Sequence, residues 1–236
     1  MRSLAADARS AFSIARKAGW LLLLPIGMDA LFFIVYGFVR YGFFDYLAGH
    51  LASLAAGFLQ AFSLEGSGRV LLIILLASIS LFIVYCIFQS LSWWLCHMLS
   101  GSRISYSSFL ARFSRLSAAW ATLYFVYSAA SLYFYVRSAN LQSAGSFYYI
   151  LLAFLLLIFY FSAASYSSRD LSFRSAFKNS LQTRTISTML AIATVFLLLS
   201  AISYVSTVLS TVIQLLVVLP LFTYARLILI SSGKNI

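Results

Sequence analysis

The chain has 236 residues, of which 63% are hydrophobic, 17% aromatic and 9% charged, and its formal net charge is +11. Water-soluble domains carry about 25% charged residues, so an ordinary soluble fold is excluded. Two Cys and two His leave no room for a disulfide framework or a tetrahedral zinc cage. The composition is that of an all-α, polytopic membrane helix bundle, read as one integral membrane domain over residues 1–236.

Residues 1–18 form an amphipathic lead-in. Arg2, Arg9 and Arg16 recur every seventh residue, away from Leu4, Ala8, Ala11, Phe12 and Ala15. No small-residue cleavage site follows Leu21 to Leu24, so the first apolar run is expected to stay as a span and not to leave as a signal peptide. That span, Gly19 to Val39, carries Pro25, expected to free a backbone carbonyl and kink the helix, and Asp29 near the expected midplane. Arg40 to Arg69 form an outer insertion in which Phe44, Leu47, Leu51, Leu54 and Phe58 keep helical spacing opposite Ala48, Gly49, Ala52, Ser53 and Ala56. It is expected to be an interfacial or partly re-entrant helix. Val70 to Met98 return as the second span and close hairpin 1, residues 19–98.

Residues 99–167 make hairpin 2. A surface helix places Phe109, Leu110, Phe113 and Leu116 on one face beside Arg112 and Arg115, and two spans follow, Ala118 to Val136 and Phe147 to Ser167. Tyr124, Tyr127, Ser128, Ser131 and Tyr133 read as close helix packing, or as the lining of a cavity for a lipid or apolar solute. Hairpin 3, residues 168–236, opens with Leu171, Phe173, Phe177 and Leu181 beside Arg174 and Lys178. Its spans run from Thr188 to Ser206 and from Ser210 to Ile230. As one helix, Ile186 to Ile230 would be about 67 Å long, over twice the bilayer core, so the chain must turn back near Ser203 to Ser210.

Charge orients these six spans. One side receives Arg2, Arg9, Arg16, Lys17, Arg103, Arg112, Arg115, Arg169, Arg174, Lys178, Arg184, Arg226 and Lys234. The other receives Arg40, Arg69 and Arg137. The positive-inside rule then puts both termini in the cytoplasm of a cell-membrane protein, with Trp20, Trp93, Trp94 and Trp120 at cytoplasmic span ends. Basic residues so confined anchor headgroups, and no phosphate-tracking stripe appears, so nucleic acid is not an expected partner.

The basic segments resemble one another. Arg9-Ser10-Ala11-Phe12 recurs as Arg174-Ser175-Ala176-Phe177, and Ile104 to Ser108 align with Leu171 to Ser175, with Ser105 and Ser172 as helix N-caps. The pattern suggests repeats of one unit, a surface helix followed by a transmembrane hairpin.

Few residues could carry chemistry. Asp29 is expected to face the bundle interior and be protonated, because a charged carboxyl there costs roughly 2.5–3.5 kcal/mol. It reads either as a proton, cation or partner site, or as a carboxyl bonded to a neighbour such as Gln89 or Tyr85. Gln89 and Gln214 complete the possible intramembrane polar site, each also readable as interhelical hydrogen-bond glue. His97 is expected to anchor the interface and His50 to be solvated. Cys86 and Cys96, about 15 Å apart on one helix, cannot bridge. Arg103, Arg112, Arg115, Arg174, Lys178 and Arg184 are the expected lipid or partner contacts. Paired carboxylates, a phosphate loop and a serine triad are all missing, so neither an enzyme nor a cofactor is expected.

The lead-in Ser10-Ala11-Phe12 to Lys17, running into Leu21-Leu22-Leu23-Leu24-Pro25, and the later Leu171 to Ser180 resemble a broad group of prokaryotic, often archaeal, six-span proteins of unknown function. That group is related to the membrane domain beside glycerophosphodiester phosphodiesterases. The likeness covers most of the chain, and the Arg40 to Arg69 insertion departs from the compact form it implies. It implies a fold and no catalytic residues. Two functions follow as expectations. One is a non-catalytic membrane subunit or scaffold, whose small-residue faces would permit a homo-oligomer, that docks a protein partner or anionic lipid. The other is a permease energised by a separate ATPase, with Ser102 to Leu116 or Asp170 to Arg184 as coupling helices.

Overall fold

The computed structural model describes residues 4–55, 64–138, 145–168 and 217–233, with isolated positions between 171 and 194. Every regular element among them is helical. Helix α1 (Leu4–Ala18) ends at Gly19, whose φ of +54° is open to glycine at little cost, and a 3₁₀ turn (Gly19–Leu22) leads into α2 (Leu23–Ala55). Pro25 therefore stands in the first turn of α2, where its missing N–H is tolerated, and the expected mid-span kink is replaced by a helix start.

Helix α2 corrects the reading of the outer insertion. Among the described residues it continues through Arg40 to Ala55 as one helix, because Gly37, Gly42 and Gly49 are tolerated in it and no proline intervenes. At 33 residues it is about 50 Å long, well beyond a bilayer core of about 30 Å. Its partner α3 (Leu64–Leu99) is as long. Contacts step in opposite directions along the two, Pro25 to Ser92, Asp29 to Gln89 and Phe32 to Tyr85, so they form an antiparallel hairpin.

Helix α3 stops in a Schellman motif. The Ser102 N–H donates to the His97 carbonyl at 2.9 Å and the Gly101 N–H to that of Met98 at 2.8 Å, with Gly101 at φ +84°. After six residues α4 (Tyr106–Ser138) begins, with Ser105 at the expected cap position. Its hydroxyl donates to that of Ser108 at 3.0 Å instead of accepting a backbone N–H. The expected surface helix and the expected third span are one continuous helix. Phe109, Phe113 and Leu116 are buried in the bundle, while Arg112 and Arg115 point outward, so its apolar face meets protein and not the interface plane. Helix α5 (Gly145–Ser167) runs antiparallel to α4, and α6 (Leu219–Gly233) returns to pack on α1, α2, α3 and α5.

The core lies at one end of the bundle. Trp93 and Cys96 of α3, Phe109, Phe113 and Leu116 of α4, Tyr166 of α5 and Leu227 to Ile230 of α6 form it, with Ala11 of α1 at its edge. Tyr166 and Phe113 stack at 4.6 Å between ring centres, and His97 packs on Phe109 at 5.5 Å. Away from this end large apolar side chains are exposed: Leu31, Phe33, Ile34 and Phe38 on α2, Leu72, Leu75, Leu76, Ile79, Ile83 and Ile87 on α3, Tyr124 to Val126 on α4. Buried positions are meanwhile rich in Ser, with Ser90, Ser92, Ser117 and Ser165 inside. An apolar exterior around a hydroxylated interior suits a nonpolar solvent. Two helical stretches, Ala5–Phe43 and Leu75–Leu99, are long and apolar enough to cross a membrane, and Ala153–Ser167 and Leu219–Ser231 are apolar but shorter.

Cys86 and Cys96 are free and buried. The expected turn at Ser203 to Ser210, Gln214, Arg184 and the Ala176 side of the repeat comparison lie outside the described residues. So does the environment of His50.

Candidate functional site

Asp29 lies on the second turn of α2, 1% exposed, and faces α3 and α6. Gln89 and Ser92, three residues apart on α3, share the face opposite it, and Trp93 follows. Arg226 enters from α6, 7% exposed. Its fork meets the carboxylate with two parallel bonds: Nη1 donates to Oδ2 at 2.5 Å and Nη2 to Oδ1 at 3.0 Å. The same nitrogens donate to Ser92 Oγ at 2.5 Å and Gln89 Oε1 at 2.7 Å. Gln89 Nε2 donates to Asp29 Oδ1 at 3.3 Å, and the Ser92 hydroxyl donates to the Pro25 carbonyl at 3.3 Å. The guanidinium carbon sits 5.3 Å from the centre of the Trp93 ring, a cation–π contact in a dry site.

The partner that dominates Asp29 is one the sequence reading did not name: Arg226, whose bidentate contact offsets the cost of burying a carboxyl. The Gln89 contact is found as expected, whereas Arg226, grouped by sequence with the cytoplasmic charges, is buried in the bundle. Its signal in the sequence was its place inside an apolar run, with Leu227-Ile228-Leu229-Ile230 directly after it. The pair also lies nearer one end than expected. Asp29 is six residues past the start of α2, about 9 Å along its axis.

Trp93 and His97 depart from interface anchoring as well. Trp93 is buried between Arg226 and Tyr166, and His97 Nε2 lies 3.0 Å from the Tyr166 carbonyl. Trp94 Nε1 donates to the Ile104 carbonyl at 2.9 Å and Trp120 Nε1 to Ser165 Oγ at 3.0 Å, so both rings fasten helices together. Only Trp20, 73% exposed, is free to meet lipid in the expected way.

Chemically the cluster is closed. The two buried side-chain atoms without a partner among the described residues, Ser102 Oγ and Thr223 Oγ1, both lie outside it. Both carboxylate oxygens of Asp29 accept hydrogen bonds, Oδ2 from Arg226 and Oδ1 from Arg226 and Gln89. The expected lipid or partner residues Arg103, Arg112, Arg115, Arg174 and Lys178 are all exposed, as are Arg9, Arg16 and Lys17 of α1. Set against protein-family models, curated proteins and solved structures, the chain matches none of them.

Proposed function

We propose that this protein is a non-catalytic integral membrane scaffold: six helical crossings, cytoplasmic termini and a basic cytoplasmic end that docks another component. The observation that carries the reading is the contrast between its two sets of charges. Asp29 and Arg226 satisfy each other inside the bundle, while Arg9, Arg16, Lys17, Arg103, Arg112 and Arg115 face outward. A transport path for an ion or proton needs an intramembrane polar group with capacity to spare. In the cluster the two charges are taken up by each other, which favours the scaffold over the permease.

The apolar exterior of α2 to α5 supports the membrane placement. The distribution of Arg and Lys, with the resemblance to six-span proteins, supports the topology. The test has two parts. Single cysteines at Ser10, Ser107 and Ser143 would be labelled with an impermeant maleimide in intact and opened cells; Ser143 should react in intact cells and the other two only after opening. A photo-crosslinker at Arg112 or Arg115 should capture one membrane subunit in fixed ratio. Capture of an ATP-binding protein there would replace the scaffold with the permease subunit.

A further inference from the structure

Helix α1 has two faces. The inner one, Asp7, Ala11, Ile14 and Ala15, packs toward α6, where the Tyr224 hydroxyl donates to the Ala8 carbonyl at 2.9 Å and the Ser231 hydroxyl to that of Asp7 at 3.5 Å. The outer face carries Arg9, Phe12, Arg16 and Lys17, spaced so that they follow one another along the same side of the helix. Phe12 is 62% exposed, and Trp20 stands exposed in the turn that follows. Asp7, the acid of α1, is turned inward, so the outer face is purely cationic.

Beyond Trp20 the exposed surface continues without a polar break into Leu21, Leu23 and Leu24. Exposed aromatics lying between guanidinium groups on one side and an apolar belt on the other match the boundary between headgroups and acyl chains. A protein partner would not explain that continuity with the belt. We propose that the outer face of α1, Arg9, Phe12, Arg16 and Lys17 with Trp20, binds an anionic phospholipid in preference to a zwitterionic one. The phosphate and the acidic headgroup meet the basic side chains, and the upper acyl chain meets Phe12 and Trp20. This rests on the membrane placement proposed above and names the lipid as the ligand of this one face.

The experiment uses the full chain in phosphatidylcholine nanodiscs doped with chain-brominated phosphatidylglycerol or, in parallel, chain-brominated phosphatidylcholine at equal fraction. The Trp20 signal is the difference between wild type and Trp20→Phe. Brominated phosphatidylglycerol should quench it at least about twofold more strongly, and Arg9→Gln/Arg16→Gln/Lys17→Gln should abolish the difference. Equal quenching by the two lipids in the wild type would overturn the lipid preference and leave the membrane placement intact. Absence of quenching by either would overturn both.

Discussion

Replacing Asp29 by Asn would leave the Arg226 guanidinium buried without its counter-charge. Breaking such a pair from one side costs about 3–5 kcal/mol, whereas replacing both partners by apolar residues of similar size is often neutral. Asp29→Asn and Arg226→Gln should each lower the midpoint of thermal aggregation in detergent sharply, and Asp29→Leu/Arg226→Met should recover most of the loss. Two single losses that simply add in the double variant would show that the charges do not act as a pair. Ser92→Ala removes the Arg226 bond and the Pro25 bond together and should cost about 1–2 kcal/mol in the same assay. Half of this site was legible in the sequence. Asp29 stands alone in an apolar run, and Gln89 is the kind of residue that bonds such a carboxyl. Arg226 was missed although it too stands in an apolar run, because a tally of charges near span ends cannot tell a guanidinium that reaches water from one that turns inward.

At the scale of the element, the α3–α4 connection depends on backbone conformation more than on contact. A Cβ at Gly101 would meet nothing within 4 Å, so Gly101→Ala should cost only the left-handed penalty of about 1–2 kcal/mol. The first turns of α4 depend on packing instead. Phe113→Ala removes a ring stacked on Tyr166 and Tyr85 and should cost about 2 kcal/mol or more, while Arg112→Gln on the exposed side should leave the midpoint unchanged. Comparing the two midpoints checks whether this segment is a core element or a surface one. The 3.6-residue period gave its apolar face correctly. Period alone cannot say whether such a face meets lipid or protein, and for α4 the answer is protein. The α2 extension shows a similar limit: Arg40 reads as the end of a span, yet a helix without a breaker continues past a charge.

For the whole molecule, the termini-bearing helices are coupled. Helix α6 supplies Arg226 to α2 and α3 and receives α1 through Tyr224 and Ser231, so the first and last described helices close the same end of the bundle. Removing residues 217–236 should therefore loosen α1 and the α2–α3 hairpin together, read as protease cleavage near Arg9 or Arg16 in the truncated chain and none in the full one. Helical architecture was evident from composition. The clasp between the two chain ends was not, since no local pattern joins Ala8 to Tyr224.

The separation of 197 positions from Asp29 to Arg226 also measures time. At about 5–20 residues per second, the acid is made some 10–40 s before the base that neutralises it. Throughout that interval the newborn hairpin holds a carboxyl that Gln89 can bond but no cation neutralises, and a chain that stops early holds it so permanently. The same substitution should then have opposite effects on cellular lifetime: Asp29→Leu should lengthen the half-life of a chain ended at residue 216 and shorten that of the complete one, as pulse-chase would reveal. Asp29 would thus mark an unfinished molecule until Arg226 arrives, and translation itself would set how long the mark is visible.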